Sequence, residues 1–154
     1  MDEKTIRTLE FPRVIDKLVE YASFSASADL ARAIKPAASL KDALERQALT
    51  SEARLLLSLR ADISVGGSSD IRPLVNLARR GGVLNEAELL LVSGTLMASR
   101  DLARNFDRFK DRAPHLAQIA ALLPPPPGII EAISRCISDR AEVLDSASHK
   151  LGSI

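Results

Sequence analysis

The chain has 154 residues, of which 46% are hydrophobic and 27% charged, and its 21 basic and 20 acidic side chains give a net charge of +1. This composition is too apolar for an intrinsically disordered chain, and the near-neutral charge does not favour a DNA-binding domain, a class that is usually clearly basic. The single cysteine, Cys136, excludes an intrachain disulfide, and no apolar run approaches the roughly 18 residues of a membrane-spanning helix.

The first predicted helix covers residues 5–22, because apolar residues recur there at steps of three and four. Pro12 is tolerated only near the start of a helix, so we expect a short turn before Glu10 and a main helix from about Phe11. The preceding residues lack the basic start and long apolar run of a signal peptide. With the lone cysteine, this predicts a cytoplasmic protein that has no membrane partner.

Two further helices are predicted from capping residues. Ser25 is expected to cap a helix over residues 26–34, which ends where Pro36 removes its neighbour from helical geometry. Ser39 is expected to cap a third helix over residues 40–60, whose apolar line includes Leu44, Ala48, Leu55 and Leu59.

Residues 63–69 form a predicted loop with two glycines. Asp70 or Ser69 is expected to open a fourth helix that ends at Arg79-Arg80-Gly81-Gly82, a basic last turn followed by glycine. Asn85 is then expected to cap a long helix that Ala113-Pro114 breaks.

Shorter elements are predicted for residues 115–144. Residues 115–123 are expected to be helical, and Pro124-Pro125-Pro126-Pro127 is interpreted as a rigid connector rather than a ligand for an aromatic groove. Gly128 precedes a predicted helix over residues 129–137, and residues 142–144 are at most a short extended piece. The sequence therefore predicts an all-α, multi-helix bundle, as the scarcity of aromatic residues (3%) also indicates.

The last residues predict the beginning of another helix. Asp145 and Ser146 are good N-cap residues, so residues 147–154 are expected to be the first turns of a helix with nothing yet to pack against. We therefore divide the chain into a helical core domain, residues 1–140, and the start of a truncated lever helix, residues 141–154. On this interpretation the gene continues past Ile154.

Candidate sites are few. The pairs Gly66-Gly67 and Gly81-Gly82 lack the lysine and spacing of a phosphate-binding loop, so we interpret both as loops. The histidines and Cys136 are too scattered for a metal site, and Cys136 is interpreted as a buried hydrophobe rather than a nucleophile. The sequence assigns no catalytic, cofactor-binding or metal-binding residue.

Four arginines form the one candidate for nucleic-acid contact. Steps of four place Arg100, Arg104, Arg108 and Arg112 along one ridge of the long helix, where they could follow a phosphate backbone. Nearby aspartates could pair with them, and no aromatic residue interleaves for base stacking. We favour a solvated, internally paired face over contact with nucleic acid or with another domain.

Five segments follow one another in a recognisable order. They are Thr8-Leu9-Glu10-Phe11, Lys35-Pro36, Gly66-Gly67 with Asp70-Ile71, Val83-Leu84 with Glu88-Leu89, and residues 137–151 with Glu142-Val143-Leu144-Asp145-Ser146-Ala147-Ser148 at their centre. This order resembles the N-terminal region of the MutS family, best its second bacterial type, which has a C-terminal Smr nuclease domain. The family usually carries glycine where this chain has Ala141, and alanine fits a turn of positive φ poorly.

The resemblance implies a helical core or connector that leads into lever helices. It also implies a longer parent that binds ATP and Mg²⁺, dimerises, and acts as an endonuclease on branched or recombination DNA or as a ribosome-associated factor, all through parts outside this chain. The hypothesis is therefore a noncatalytic segment that couples ATP-driven dimer motion to DNA or ribosome engagement. The alternative is a free-standing helical module that binds a partner helix in a groove, without nucleotide or DNA affinity.

Overall fold

Capping side chains and apolar periodicity divide the chain into helices, as seen in a computed structural model that describes residues 3–59, 63, 66–126 and 128–153. The helices are α1 Glu3–Thr8, α2 Phe11–Val19, α3 Ser25–Arg32, α4 Leu40–Ser58, α5 Arg72–Arg79, α6 Glu86–Arg108, α7 Pro114–Ala120 and α8 Ile129–Cys136. Within these described ranges there is no β-strand, only an isolated bridge between Ile137 and Val143. The predicted all-α class is confirmed.

The chain forms two compact units, which we describe separately. Unit 1 comprises the described residues of Met1–Ile63 and Asn105–Ala120, and unit 2 comprises those of Ser64–Arg104 and Ala121–Ile154. This division differs from a boundary at residue 140, because residues 121–153 belong to unit 2 throughout. That the segment 141–154 leads into a lever helix of a longer protein stays a prediction, although its described residues form no α-helix.

Unit 1 begins with two helices that meet at a left-handed residue. Glu10 has φ 51°, and this turn separates α1 from α2, as Pro12 predicts. The helix α3 begins at Ser25 itself, so the prediction of Ser25 as the cap is wrong. Ser27 explains the earlier start, because its hydroxyl accepts from the Phe24 N–H at 3.3 Å and donates to the Phe24 carbonyl at 2.8 Å.

Two long helices start as their caps predict. The Ser39 hydroxyl accepts from the Asp42 N–H at 3.1 Å and opens α4. In unit 2, Asn85 Oδ1 accepts from the Glu88 N–H at 2.9 Å while Glu88 Oε2 accepts from the Asn85 N–H at 2.8 Å. This reciprocal pair satisfies two N–H groups that would otherwise have no helical partner at the start of α6.

The α5 helix and its ends follow local chemistry. Asp70 Oδ1 accepts from the Arg72 N–H at 3.1 Å, so the helix begins at Arg72, slightly later than predicted. At its other end Gly81 has φ 81°, and the Gly82 N–H donates to the Leu77 carbonyl at 3.0 Å. This is the predicted glycine-capped C-terminus.

The long helix α6 ends earlier than predicted. It stops at Arg108, and residues 109–112 form turns in which the Arg112 N–H donates to the Phe109 carbonyl at 2.9 Å. Pro114 prevents α6 from continuing into α7, because it disfavours helical geometry at Ala113 and itself begins α7. Ala113, directly before α7, is fully buried.

The tail of unit 2 folds back on α8, and the prediction of a helix over residues 147–153 is wrong. It contains 3₁₀ turns at Asp145–Ala147 and Leu151–Ser153, separated by extended backbone at Ser148. Ser146 does not cap a helix, because its hydroxyl donates to the Arg135 carbonyl at 2.8 Å. The Leu144 N–H also donates to the Cys136 carbonyl at 2.8 Å. Ile154 and Pro127 lie outside the described residues.

Both units have small cores. Unit 1 buries Ala31, Leu56, Ala113 and Ala120, while unit 2 buries Ile130, Ile133 and Ile137 on and just after α8. No large side chain in the described ranges is fully buried. Much apolar surface in the described ranges is therefore uncovered, including Tyr21, Val83 and Leu122 in the segments between helices.

Candidate functional site

A buried carboxylate joins two helices of unit 1. Glu52 lies on α4 with only 9% of its surface exposed, and it accepts hydrogen bonds from the first turn of α7. Its Oε1 accepts from the His115 N–H at 3.2 Å, and its Oε2 accepts from the Leu116 N–H at 2.9 Å. The His115 imidazole Nδ1 also contacts Oε1. Since Ala113 offers no side-chain cap, Glu52 caps α7 from another helix.

These contacts set the charge state of Glu52. Burial raises the pKa of Glu52, but hydrogen bonds from the Leu116 N–H, the His115 ring and the His115 N–H, together with the charge of His115, outweigh it. The pKa of Glu52 therefore lies below its ordinary value. Glu52 is ionised at neutral pH, and the partial positive charge of the helix N-terminus stabilises the ionised form.

Unit 2 carries an apolar groove, which we call the α5–α8 groove. It has a volume of about 630 Å³, and its walls come from α5, the first half of α6, and α8. Leu74, Val92 and Ile133 contribute to these walls, and Arg79 is the single charged residue among the lining side chains. The size and apolar walls suit the apolar face of a helix or a cluster of side chains.

Cys136 lies in the wall of this groove. It is half-buried, and its Sγ lies 3.9 Å from the Ala147 carbonyl oxygen, within the range of a weak S–H donor. The surroundings are the apolar ones that its place between Ile133 and Ile137 predicts. In the described part of the chain, no group of three or more His, Cys, Asp or Glu residues could hold a metal ion.

The four candidate arginines do not share one helix. Arg100, Arg104 and Arg108 lie on α6, but Arg112 lies in the turns beyond it. The prediction that all four arginines share one helix is therefore wrong for Arg112. Asp101 Oδ1 lies 3.4 Å from Arg100 Nε and 3.9 Å from Arg104 Nη1. Asp107 pairs instead with Lys110, at 3.6 Å. Contact of the arginines with nucleic acid stays a prediction.

A loop of unit 2 is anchored on α6. Thr95 Oγ1 accepts from the Ser69 N–H at 3.0 Å, and a Cβ added at Gly94 would lie 3.4 Å from the Gly67 carbonyl oxygen. The glycine pair at 66–67 thus approaches the helix backbone closely instead of forming a free loop. No helix in the described ranges combines the length and apolar character needed to cross a bilayer.

Sequence inspection missed Glu52, although a signal existed. Glu52 falls on the apolar line of α4, four residues after Ala48 and three before Leu55, where a carboxylate is buried without an obvious reason. A helix N-terminus that lacks its own cap, at Ala113-Pro114, is the complementary signal. Neither signal identifies its partner, because the two positions are 63 residues apart.

Comparisons with known proteins give one consistent result. No protein-family model matches the chain. A protein described as Endonuclease MutS2, from Geobacillus sp. (strain WCH70), is 36% identical over 157 aligned positions, which cover 100% of this chain and 20% of that relative. Endonuclease MutS2 of Bacillus mycoides (strain KBAB4) and of Thermomicrobium roseum are 33% and 34% identical, with the same coverage. The chain spans about a fifth of the length of the curated relatives it matches.

Proposed function

Because this chain corresponds over its full length to a MutS2-type N-terminal region, we propose that it is the noncatalytic helical core segment of a MutS-type, DNA-binding ATPase. In this role it couples ATP-driven motion of a dimer to engagement of nucleic acid. The observation that carries the proposal is the match over the full length of the chain to relatives about five times as long.

The proposal places the chemistry in other parts of a longer protein. Gly66-Gly67 leads into Ser68 and Gly81-Gly82 into Val83, so neither pair has the lysine that a phosphate-binding loop requires. Gly81 has a structural role instead, as the left-handed cap of α5. The remainder of the longer protein would therefore bind ATP and Mg²⁺ and carry the nuclease.

The uncovered apolar surface supports a role as a packed segment. The α5–α8 groove exposes aliphatic side chains from three helices in one place. A contiguous apolar patch of this kind marks a surface that another segment or protein covers. In a longer chain, the domains that follow would supply the covering side chains.

The coupling we propose is mechanical and depends on rigid elements. Within unit 1, Glu52 ties α4 to α7, and within unit 2, Thr95 ties the loop at Ser69 to α6. Part-buried hydrogen bonds of this kind resist separation of the elements that they join. Motion applied to one helix of a unit is therefore passed to its neighbours instead of being absorbed as local bending.

The proposed partners follow from the family resemblance. They are the remaining domains of the longer protein, DNA, the ribosome and its RNA as a second nucleic-acid target, and a second copy of the protein in a homodimer. We place this assembly in the cytoplasm. The arginines of α6 would serve as a phosphate contact only secondarily, since Asp101 lies near both Arg100 and Arg104.

The α5–α8 groove also favours a second candidate function. A free-standing module would bind a partner helix there and would have no affinity for nucleotide or DNA. The gene separates the two candidates, because a Gly-x-x-x-x-Gly-Lys-Ser/Thr motif a few hundred residues downstream of Ile154 supports the MutS-type segment. A stop codon near residue 154 supports the module.

An assay of the isolated 154-residue chain tests the noncatalytic part of the proposal. We expect no hydrolysis of ATP and no cleavage of branched DNA by the pure chain. Turnover that co-purifies with the chain and is abolished by a substitution within it would overturn the proposal. A Glu52→Gln variant prepared in the same way controls for contaminating enzymes, because a contaminant's activity would not respond to it.

A further inference from the structure

A second cavity in unit 2, which we call the serine pocket, has a polar part and an apolar part. Its volume is about 510 Å³, and it opens beside α6, α8 and the turn that follows α8. The polar lining consists of Ser93, Ser134, Ser138 and Asp139, and Leu90 and Met97 contribute apolar walls. Neither the capping of the helices nor the α5–α8 groove uses these polar groups.

Ser93 is the most unusual of them. It lies in the middle of α6 with 5% of its surface exposed, and it lines the serine pocket. A serine hydroxyl oxygen has lone pairs that can accept a hydrogen bond from a bound group. Because Ser93 lines the pocket, a ligand bound in the pocket would lie beside this hydroxyl.

The other two serines have defined roles. The Ser134 hydroxyl donates to the Ile130 carbonyl at 2.9 Å, so its oxygen keeps lone pairs that can accept. The Ser138 oxygen accepts from the Arg140 N–H at 3.3 Å and the Glu142 N–H at 3.2 Å. Ser138 therefore holds the turn that presents Asp139 at the pocket.

Asp139 supplies the charge of the pocket. It is the single ionisable residue in the lining, and its carboxylate forms no ion pair within the described ranges. A carboxylate that forms no ion pair favours a positively charged ligand over an anion. The apolar walls disfavour a strongly hydrated metal ion, since its water shell would gain nothing from Leu90 or Met97.

We propose that the serine pocket binds a primary ammonium group on an aliphatic stem. An ammonium has three N–H donors and no acceptor. The hydroxyl oxygens of Ser93 and Ser134 and the carboxylate of Asp139 are acceptors that these donors require. Leu90 and Met97 pack against the methylene stem, as apolar surfaces do with lysine side chains. The ammonium comes either from a free diamine or from a lysine of another polypeptide segment.

Titration of the ¹⁵N-labelled 154-residue chain with n-butylammonium tests the proposal. We expect saturable shifts confined to residues around the pocket, and binding weakened about fivefold by Asp139→Asn and about threefold by Ser93→Ala. The matched control is Glu131→Gln, because Glu131 is an exposed carboxylate on α8 outside the pocket. That variant should bind as the unmodified chain does.

Two further probes with the same number of carbon atoms, one anionic and one neutral, provide the outcomes that would contradict the proposal. Butyrate should not bind, and n-butanol should bind more weakly than the ammonium. Equal binding of butyrate and n-butylammonium, or affinities unchanged by both pocket substitutions, would overturn the proposal. The spectra of the free variants report whether each one folds, so lost binding is not confused with unfolding.

A second comparison identifies the source of the ammonium. Tighter binding of Nα-acetyl-lysine amide than of putrescine supports a lysine side chain, and the reverse order supports a free diamine. Failure of both to produce saturable shifts at the pocket would contradict the proposal irrespective of source.

Discussion

The carboxylate of Glu52 receives hydrogen bonds from both the backbone N–H and the imidazole of His115, which lies 63 positions later in the chain. A side chain of α4 thereby supplies the N-terminal cap that α7 lacks in its own sequence. Capping side chains usually lie within a few residues of the helix that they cap, whereas Glu52 lies on a different helix. Glu52 therefore joins α4 to α7 through hydrogen bonds to the first turn of α7.

Substitution Glu52→Gln should lower the free energy of unfolding by about 1 to 2 kcal/mol, because the amide nitrogen cannot accept from a backbone N–H. Urea unfolding followed by circular dichroism measures the change. Glu45→Gln is the matched control, since Glu45 lies on the same helix in an exposed pair with Lys41 at 3.9 Å. A pair of that kind contributes little. Equal effects of the two substitutions would contradict the capping role.

The lowered pKa of Glu52 predicts a pH dependence with a definite sign. A carboxyl whose pKa is lower in the folded state stabilises the fold fully above its ordinary pKa, about 4.3, and loses that contribution as the pH falls through the folded value. The difference in unfolding free energy between the unmodified chain and Glu52→Gln should therefore be larger at about pH 5.5 than at about pH 3. A difference that grows on acidification would show that the sign is wrong.

Ala141→Gly should stabilise the chain by about 0.5 to 1 kcal/mol, because Ala141 has φ 60°, in the left-handed region where a Cβ is unfavourable. Thermal or urea unfolding measures this gain. Ala132→Gly, within α8, is the control and should destabilise by about 1 kcal/mol, since glycine is a poor helix former. A loss of stability at both positions would argue against strain at Ala141.

The arginines of α6 provide a fourth prediction. In the longer protein, replacing Arg104 and Arg108 together by glutamine should leave the salt dependence of DNA binding unchanged, because we favour a solvated, paired face. Affinity measured at several salt concentrations tests this expectation. If each arginine neutralised a phosphate, the slope of log affinity against log salt would instead fall by about one per residue.

Elements that depend on neighbouring residues were predictable from the sequence. Ser39 and Asn85 cap the helices that follow them, because their side chains reach N–H groups only three residues away. The glycine-rich end of α5 follows from the same local logic. The left-handed turn indicated at Ala141 is also a local feature, and that residue has φ 60°.

Contacts between distant residues could not be predicted in this way. Nothing in the local sequence links Glu52 to His115 or Ser69 to Thr95, because the helices must pack before these groups meet. The tail illustrates the converse error, since Ser146 has the sequence of a helix cap but its hydroxyl finds the Arg135 carbonyl of α8. Tertiary contact overrode the local preference there.

The coupling role is tested most directly by ATP hydrolysis in the longer protein, with and without branched DNA or ribosomes, after the α5–α8 groove is blocked. Val75→Asp places a charge in its apolar wall, and Glu131→Gln is the control outside it. We predict unchanged basal hydrolysis and a nucleic-acid stimulation reduced at least about fivefold, a change of about 1 kcal/mol. Full stimulation in a folded Val75→Asp protein would contradict the proposal that this segment transmits the motion.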